Sequence, residues 1–171
     1  MLGSVKIVIA AAAVFAAAQT GAAADNCVRH RDMMALKVAA LQQQLMVAAL
    51  TCHAVPRYNQ FVVGYRKQLF NSDNALKAFF IRRGSVAGYH AYKTKLANNA
   101  SLTSIADMDS YCRAAFAAYD SAANAPSLAA FVELQPIIVE GDFTSCSETR
   151  LAAREDRRER RHALAEAEAT R

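Results

Sequence analysis

Residues 27–52 read CVRHRDMMALKVAALQQQLMVAALTC, and this stretch decides the fold. Apolar residues recur along it at alternating spacings of four and three, which places them on one side of an α-helix. Arg31 is the only polar residue at these regularly spaced positions. Alanine, leucine, methionine and glutamine favour helix, and neither glycine nor proline interrupts the run before Pro56. The sequence therefore predicts one continuous helix that the rest of the chain covers.

The four cysteines can be paired in three ways, and the predicted helix excludes one of them. Cys27 and Cys52 would lie about 37 Å apart on a continuous helix, whereas a disulfide needs Cα atoms within roughly 7 Å. Two arrangements remain: Cys27–Cys146 with Cys52–Cys112, or Cys27–Cys112 with Cys52–Cys146. We favour the first, because it fastens the C-terminal segment to the start of the helix and joins two cysteines that each lie in an apolar stripe.

The N-terminus has the pattern of a secretory signal peptide over residues 1–24. Lys6 precedes the apolar run IVIAAAAVFAAA, and Ala22–Ala24 offers an Ala-x-Ala cleavage site. The run is shorter than the roughly 20 residues of a transmembrane helix, although retention as an uncleaved anchor is the alternative. We expect an exported protein, periplasmic or extracellular, whose even number of cysteines forms disulfides in an oxidising compartment.

The region 25–146 predicts a single all-α domain, a disulfide-stapled bundle of about five or six helices. Asn71–Asn74 and Asn98–Asn99 are predicted to break helices, Ser85 and Ser127 to cap them, and Gly84 to end one in the left-handed conformation. After the first helix, the expected helices are 57–70, 75–83, 86–97, one from Ser101 or Ser104 to Asn124, and 128–135. Ile137–Val139 is expected to be extended, with Phe143 and Cys146 fixing that segment to the bundle.

Residues 147–171 form a tail crowded with arginine and acidic residues and free of glycine and proline. This composition predicts a solvated helix with ion pairs between neighbouring turns, or a disordered tail. A helical interaction tail is the functional alternative.

No constellation of catalytic or metal-binding residues emerges from the sequence, so we expect no enzyme, no cofactor and no metal. The sequence lacks the common hydrolase, zinc-protease and nucleotide-binding motifs. Asp107 and Asp109 could form a carboxylate pair, but helix capping explains them better. A copper site is poorly supported, because the spacing of its candidate ligands does not bring them together: His30, Met33, Met34 and His53.

The most informative feature is a charge asymmetry between Arg57 and Lys95, where eight basic residues accompany one acid, Asp73. Such a surface attracts polyanions, and interleaved tyrosines can stack or pack on a ligand. We expect an anionic polysaccharide, lipopolysaccharide or a membrane surface as partner, and not nucleic acid, since no binding motif supports it. The candidate binding residues are Arg66, Lys67, Arg82, Arg83, Tyr89, Tyr92, Lys93 and Lys95.

Three segments together resemble small exported helical proteins of unknown function from alphaproteobacteria: the cysteine-flanked helix, YNQFVVGYRKQLF and AYKTKLANNASL. The resemblance covers most of residues 27–146 and brings no activity and no site residues. It implies a Gram-negative envelope setting.

These observations favour a non-catalytic exported envelope protein with a structural or binding role. The basic segment 57–95 is the candidate surface for that role. The alternative is a periplasmic adaptor or chaperone-like protein that binds another envelope protein in an apolar groove beside the first helix. A small hydrolase is a third, less favoured, interpretation.

Overall fold

The computed structural model describes residues 27–169, and these form seven α-helices with no β-strand. The all-α class is therefore confirmed. The predicted signal peptide, residues 1–24, lies outside the described residues. In chain order the helices are α1 (His30–Thr51), α2 (Val55–Gly64), α3 (Arg66–Arg82), α4 (Val86–Ala106), α5 (Met108–Asn124), α6 (Leu128–Glu133) and α7 (Cys146–Ala169).

Helix α1 is continuous, as predicted, and packs against each of the helices α2 to α6. On one side, Leu41 and Leu45 join a core that Phe61 and Phe131 complete. On another side, Leu36 joins a second core built from α3 and α4. This burial on two sides differs from the single apolar face that we predicted. Within the described part of the chain, only α1 is long and apolar enough to cross a membrane, but 61% of that stretch is buried inside the bundle, as in a core helix.

Three tyrosine hydroxyls from α4 and α5 donate hydrogen bonds to backbone carbonyls of α1. The pairs are Tyr92 with Leu36 at 3.3 Å, Tyr111 with Gln44 at 2.8 Å and Tyr119 with Leu45 at 2.6 Å. Burial raises the pKa of all three phenols, and that of Tyr111 reaches about 12. Buried tyrosines need such partners for their hydroxyls, so these bonds fix α4 and α5 against α1.

The preferred disulfide pairing is confirmed. Cys52–Cys112 joins the end of α1 to α5, and Cys27–Cys146 joins the segment before α1 to the start of α7. Beside the second bond, the Val28 N–H donates to the Thr144 carbonyl at 2.8 Å, and Val28 accepts from the Cys146 N–H at 3.0 Å. The two disulfides indicate an oxidising, non-cytoplasmic environment.

The predicted helix break at Asn71–Asn74 is wrong, because α3 runs through it and the break lies at Tyr65. The Tyr65 hydroxyl donates to the carbonyls of Ala122 and Ala125, which holds the chain at the turn. Asp73 bonds to groups on α3 and α4 and does not cap a helix. Tertiary contacts thus override the local preference of asparagine and aspartate for helix ends.

The predicted break at Asn98–Asn99 is also wrong, since α4 continues to Ala106. Burial of Leu96 and Ala100 holds this stretch against the bundle. The next helix therefore begins at Met108, and neither Ser101 nor Ser104 starts it.

Other local predictions are confirmed. Ser85 and Ser127 cap α4 and α6 by accepting hydrogen bonds from backbone N–H groups at 2.9 Å and 3.1 Å. Gly84 has a φ of 73°, the left-handed conformation that glycine adopts without steric cost. The ring of Phe143 lies 5.6 Å from that of Phe79, so the extended segment is fixed to the bundle as expected.

The charged C-terminal segment is helical and solvated. In α7, every described side chain from Arg150 to Leu164 is exposed. Arg160 pairs with Asp156 one turn earlier at 3.1 Å. This agrees with the predicted solvated helix.

Candidate functional surface

Ion pairs neutralise five of the eight basic side chains between Arg57 and Lys95. The pairs are Arg57–Asp120 at 2.6 Å, Lys77–Asp73 at 2.9 Å, Arg82–Asp32 at 2.7 Å, Lys93–Asp73 at 3.2 Å and Lys95–Glu140 at 3.4 Å. Three of the four acids come from other parts of the sequence. A count of charges within the segment therefore overstated its free positive charge.

Asp73 is the centre of a polar cluster between α3 and α4. Its carboxylate accepts from the Tyr89 hydroxyl at 2.6 Å and pairs with both Lys77 and Lys93. Partial burial alone would raise the pKa of this carboxyl, but the hydrogen bonds from the tyrosine and the two lysines lower it below its usual value. The same contacts raise the pKa of both ammonium groups. The cluster keeps its charges, which is the state expected of a structural link between helices.

The two candidate tyrosines, Tyr89 and Tyr92, are buried and do not face solvent. Tyr89 is 8% exposed and Tyr92 is 6% exposed, and both hydroxyls have partners inside the bundle. Almost no ring surface remains for stacking, so neither residue is retained in the candidate surface. Arg83 lies over the ring of Phe79, 4.8 Å from its centroid, and is likewise occupied with intramolecular packing.

Arg66 and Lys67 remain exposed, and neither has an ion-pair partner among residues 27–169. They begin a row of exposed side chains on α3 that spans an arc of about 100° and a length of about 22 Å. Two large apolar side chains lie in the same row, Phe70 at 65% exposed and Ile81 at 59%. The one acidic residue of α3, Asp73, lies at the edge of this arc and pairs with Lys77. We call the row the α3 outer stripe; its members are Arg66, Lys67, Phe70, Asn74, Lys77 and Ile81.

The sequence contained the signal for this stripe. The six positions share one face only if α3 is continuous from Arg66 to Arg82, and the predicted break at Asn71–Asn74 separated them. The apolar spacing that places Leu69 in the core also places its neighbour Phe70 outside it, and the structure agrees, with Leu69 buried and Phe70 exposed.

A concave feature lies beside α1, where α3 and α6 leave an open groove of 560 Å³. Its lining is mostly apolar, with Met34, Ala35 and Val38 contributed by α1. The Leu128 N–H donates to the side-chain oxygen of Gln68 at 2.8 Å, which fixes α6 against α3 at this groove. We call it the α1 groove.

The side chains considered as catalytic groups or metal ligands have structural roles or do not come together in one site. Asp107 caps α5 by accepting a hydrogen bond from the Ser110 N–H at 2.9 Å, as its sequence position suggested. His90 packs on the ring of Tyr89, with the ring centroids 5.0 Å apart. Within the described residues, no three histidine, cysteine, aspartate or glutamate side chains come together as a metal site.

Comparison with protein-family models, characterised proteins and solved structures finds no match to this chain.

Proposed function

We propose that this chain is an exported, non-catalytic protein of the cell envelope that binds an anionic membrane surface through the α3 outer stripe. One observation carries the proposal: two cations without an ion-pair partner among the described residues, Arg66 and Lys67, share one helix face with two exposed large apolar side chains, Phe70 and Ile81. Helices that lie in a membrane interface combine the same two features.

Export and an envelope location rest on separate support. The disulfides require an oxidising compartment, and the N-terminal sequence has the pattern of a secretory signal peptide. The resemblance to small exported alphaproteobacterial proteins favours the periplasm of a Gram-negative cell. In that compartment, anionic lipid headgroups are available to a peripheral protein.

The apolar members of the stripe favour a membrane over a soluble anionic polysaccharide. Each cation near an anionic bilayer contributes about 1 kcal/mol, an attraction that salt weakens. Burying a large apolar side chain contributes roughly 1.5–3 kcal/mol if the burial is complete, and a glycan offers no comparable apolar phase. Phe70 and Ile81 would enter the boundary between headgroups and acyl chains while the cations contact phosphates. Binding should therefore be weak, reversible and dependent on both terms.

Vesicle co-sedimentation tests the proposal directly. The chain from residue 25 onward is mixed with vesicles of phosphatidylcholine alone or with 30% phosphatidylglycerol, at low and physiological salt. We expect binding only to the anionic vesicles, weakened by salt. Arg66→Gln and Phe70→Ser should each reduce it several-fold.

Two matched variants serve as controls. Arg113→Gln removes an exposed cation from α5, and Leu102→Ser removes an apolar side chain as exposed as Phe70, at 65%. Neither should change vesicle binding. Equal losses in all four variants would refute a role for the stripe. Binding to alginate or lipopolysaccharide that ignores Phe70→Ser would point to a glycan partner.

The alternative, an adaptor or chaperone-like protein that binds another envelope protein, would use the α1 groove as part of a larger contact. Apolar docking would be insensitive to salt and would survive Arg66→Gln. A partner protein retained under these conditions, with no vesicle binding, would favour this second function.

A further inference from the structure

The α1 groove is large enough for a small ligand, and of its twelve lining residues seven are apolar, four are polar and uncharged, and one, Arg31, is a cation. We infer that it binds a single alkyl chain that carries an anionic headgroup, with Arg31 holding the headgroup. This inference goes beyond membrane contact by the α3 outer stripe and does not depend on it.

The walls of the groove suit an alkyl chain. Small side chains create the space, because Ala35 on α1 faces Ala75 and Ala78 on α3 across it, with Ala129 of α6 beside them. The volume of 560 Å³ lies in the range of small-molecule pockets, which are mostly apolar with a few polar groups. From Arg31 to Val38 the groove follows α1 for about 10 Å, close to the length of a ten-carbon chain.

Arg31 supplies the polar group at one end of this slot. In the sequence it is the one polar residue in the apolar rows of α1, an exception that the fold itself does not explain. It lines the groove, is exposed, and has no ion-pair partner among the described residues. Asp32, the acid next to Arg31 in sequence, is already paired with both Arg29 and Arg82. The surplus positive charge at this end is therefore complementary to a carboxylate or a phosphate.

The scale of the groove favours such a ligand over a protein or a second copy of the chain. A stable protein interface buries about 800 Å² on each partner, with 20 to 30 residues on each side. The groove is lined by twelve residues. That is sufficient to enclose an alkyl chain but covers only part of a protein-sized contact.

Calorimetric titration of the folded, delipidated chain from residue 25 onward, without vesicles, tests the site. The probes are decanoate, decyl phosphate, decan-1-ol and butanoate, all below the concentration at which they form micelles. We expect both ten-carbon anions to bind, decan-1-ol to bind about ten-fold more weakly, and butanoate not to bind. A preference for decanoate or for decyl phosphate would distinguish a free fatty acid from a phospholipid as the source.

Variants separate the charge from the apolar slot. Arg31→Gln should weaken binding of both anions about ten-fold and leave decan-1-ol unchanged, whereas Arg31→Lys should retain most of the affinity. Ala78→Leu fills the slot and should weaken all three ten-carbon probes at least ten-fold. Ala114→Leu, at an exposed position on α5 outside the groove, is the matched control.

Several outcomes would overturn the inference. Failure of the folded protein to bind either ten-carbon anion would do so, as would binding that neither Arg31→Gln nor Ala78→Leu changes. A concentration-dependent dimer that Ala78→Leu abolishes, with no alkyl binding, would assign the groove to a second copy. Arg66→Gln and Phe70→Ser should leave decanoate binding intact, so failure of the membrane proposal and failure of this one are distinguishable.

Discussion

The phenols of Tyr92, Tyr111 and Tyr119 must be neutral to donate to the carbonyls of α1. Burial raises their pKa above the usual value near 10, and that of Tyr111 to about 12. A group whose pKa is higher in the folded state stabilises the fold fully below its unfolded pKa. That contribution is lost as the pH rises toward the folded pKa. The fold therefore depends on three protons that alkaline solution removes.

We predict that the free energy of unfolding falls steeply between pH 10 and pH 12. Urea titrations at pH 8, 10 and 11 measure this. Tyr111→Phe should cost about 1 kcal/mol at pH 8, the typical contribution of one hydrogen bond, and should reduce the slope above pH 10. Tyr58→Phe is the control for the loss of a hydrogen bond at pH 8, because the Tyr58 hydroxyl makes no hydrogen bond within residues 27–169. Equal stability at pH 8 and pH 11 would contradict the prediction.

At the scale of helices, periodicity predicted the core elements well, and side-chain chemistry predicted their ends unevenly. The apolar pattern of α1 and its continuity followed from residues 27–52 alone. The same stretch excluded one of the three disulfide pairings, and the choice between the other two rested on fastening the C-terminal segment to the start of the helix and on the apolar stripes that hold Cys52 and Cys112. The predicted helix break at Asn71–Asn74 was wrong because Asp73 bonds to groups on α3 and α4, and the contacts with α4 cannot be seen in a local pattern. An apolar groove beside the first helix was predicted only as part of the alternative function, and its lining residues could not be predicted, since an alanine that lines a groove looks the same in sequence as one that is packed.

Helix α5 offers a clean test of a cap against a catalytic pair. Asp107→Ala should destabilise the fold by about 1 kcal/mol, because the Ser110 N–H loses its acceptor. Asp109→Ala, two residues further on in the first turn and exposed, should cost no more than a few tenths of a kcal/mol through the helix dipole. Chemical denaturation of both variants measures the difference. Equal costs would argue against the cap.

Over the whole molecule, the bundle and α7 should differ sharply in their effect on stability. α7 leaves the bundle at Cys146, and its described side chains from Arg150 to Leu164 are exposed. We predict that truncation after Arg150 shifts the thermal midpoint by no more than about 2 °C, since little apolar surface is lost from the core. Differential scanning calorimetry checks this, and a large fall in the midpoint would mean that α7 packs on the bundle.

Removal of the inner disulfide should have the opposite result. Replacing Cys52 and Cys112 together by serine opens a loop with a sequence separation of 60 residues. We predict a loss of about 2–4 kcal/mol in the free energy of unfolding, the usual range for a disulfide that constrains the unfolded chain. Urea unfolding of the double variant, compared with the tail truncation, measures it. A loss below 1 kcal/mol would show that the bundle does not need this constraint.

The continuity of α1 also bears on how the disulfides form in an oxidising compartment. When the chain emerges N-terminus first, Cys52 is the first possible partner of Cys27, whereas the native partner Cys146 emerges last. A helix of 22 residues rich in alanine is long enough to begin forming before the rest of the chain is present. Once formed, it extends about 33 Å between the first two cysteines, which keeps their thiols out of reach of each other. α1 thus acts as a rigid spacer that prevents the incorrect Cys27–Cys52 bond from forming before Cys146 is present.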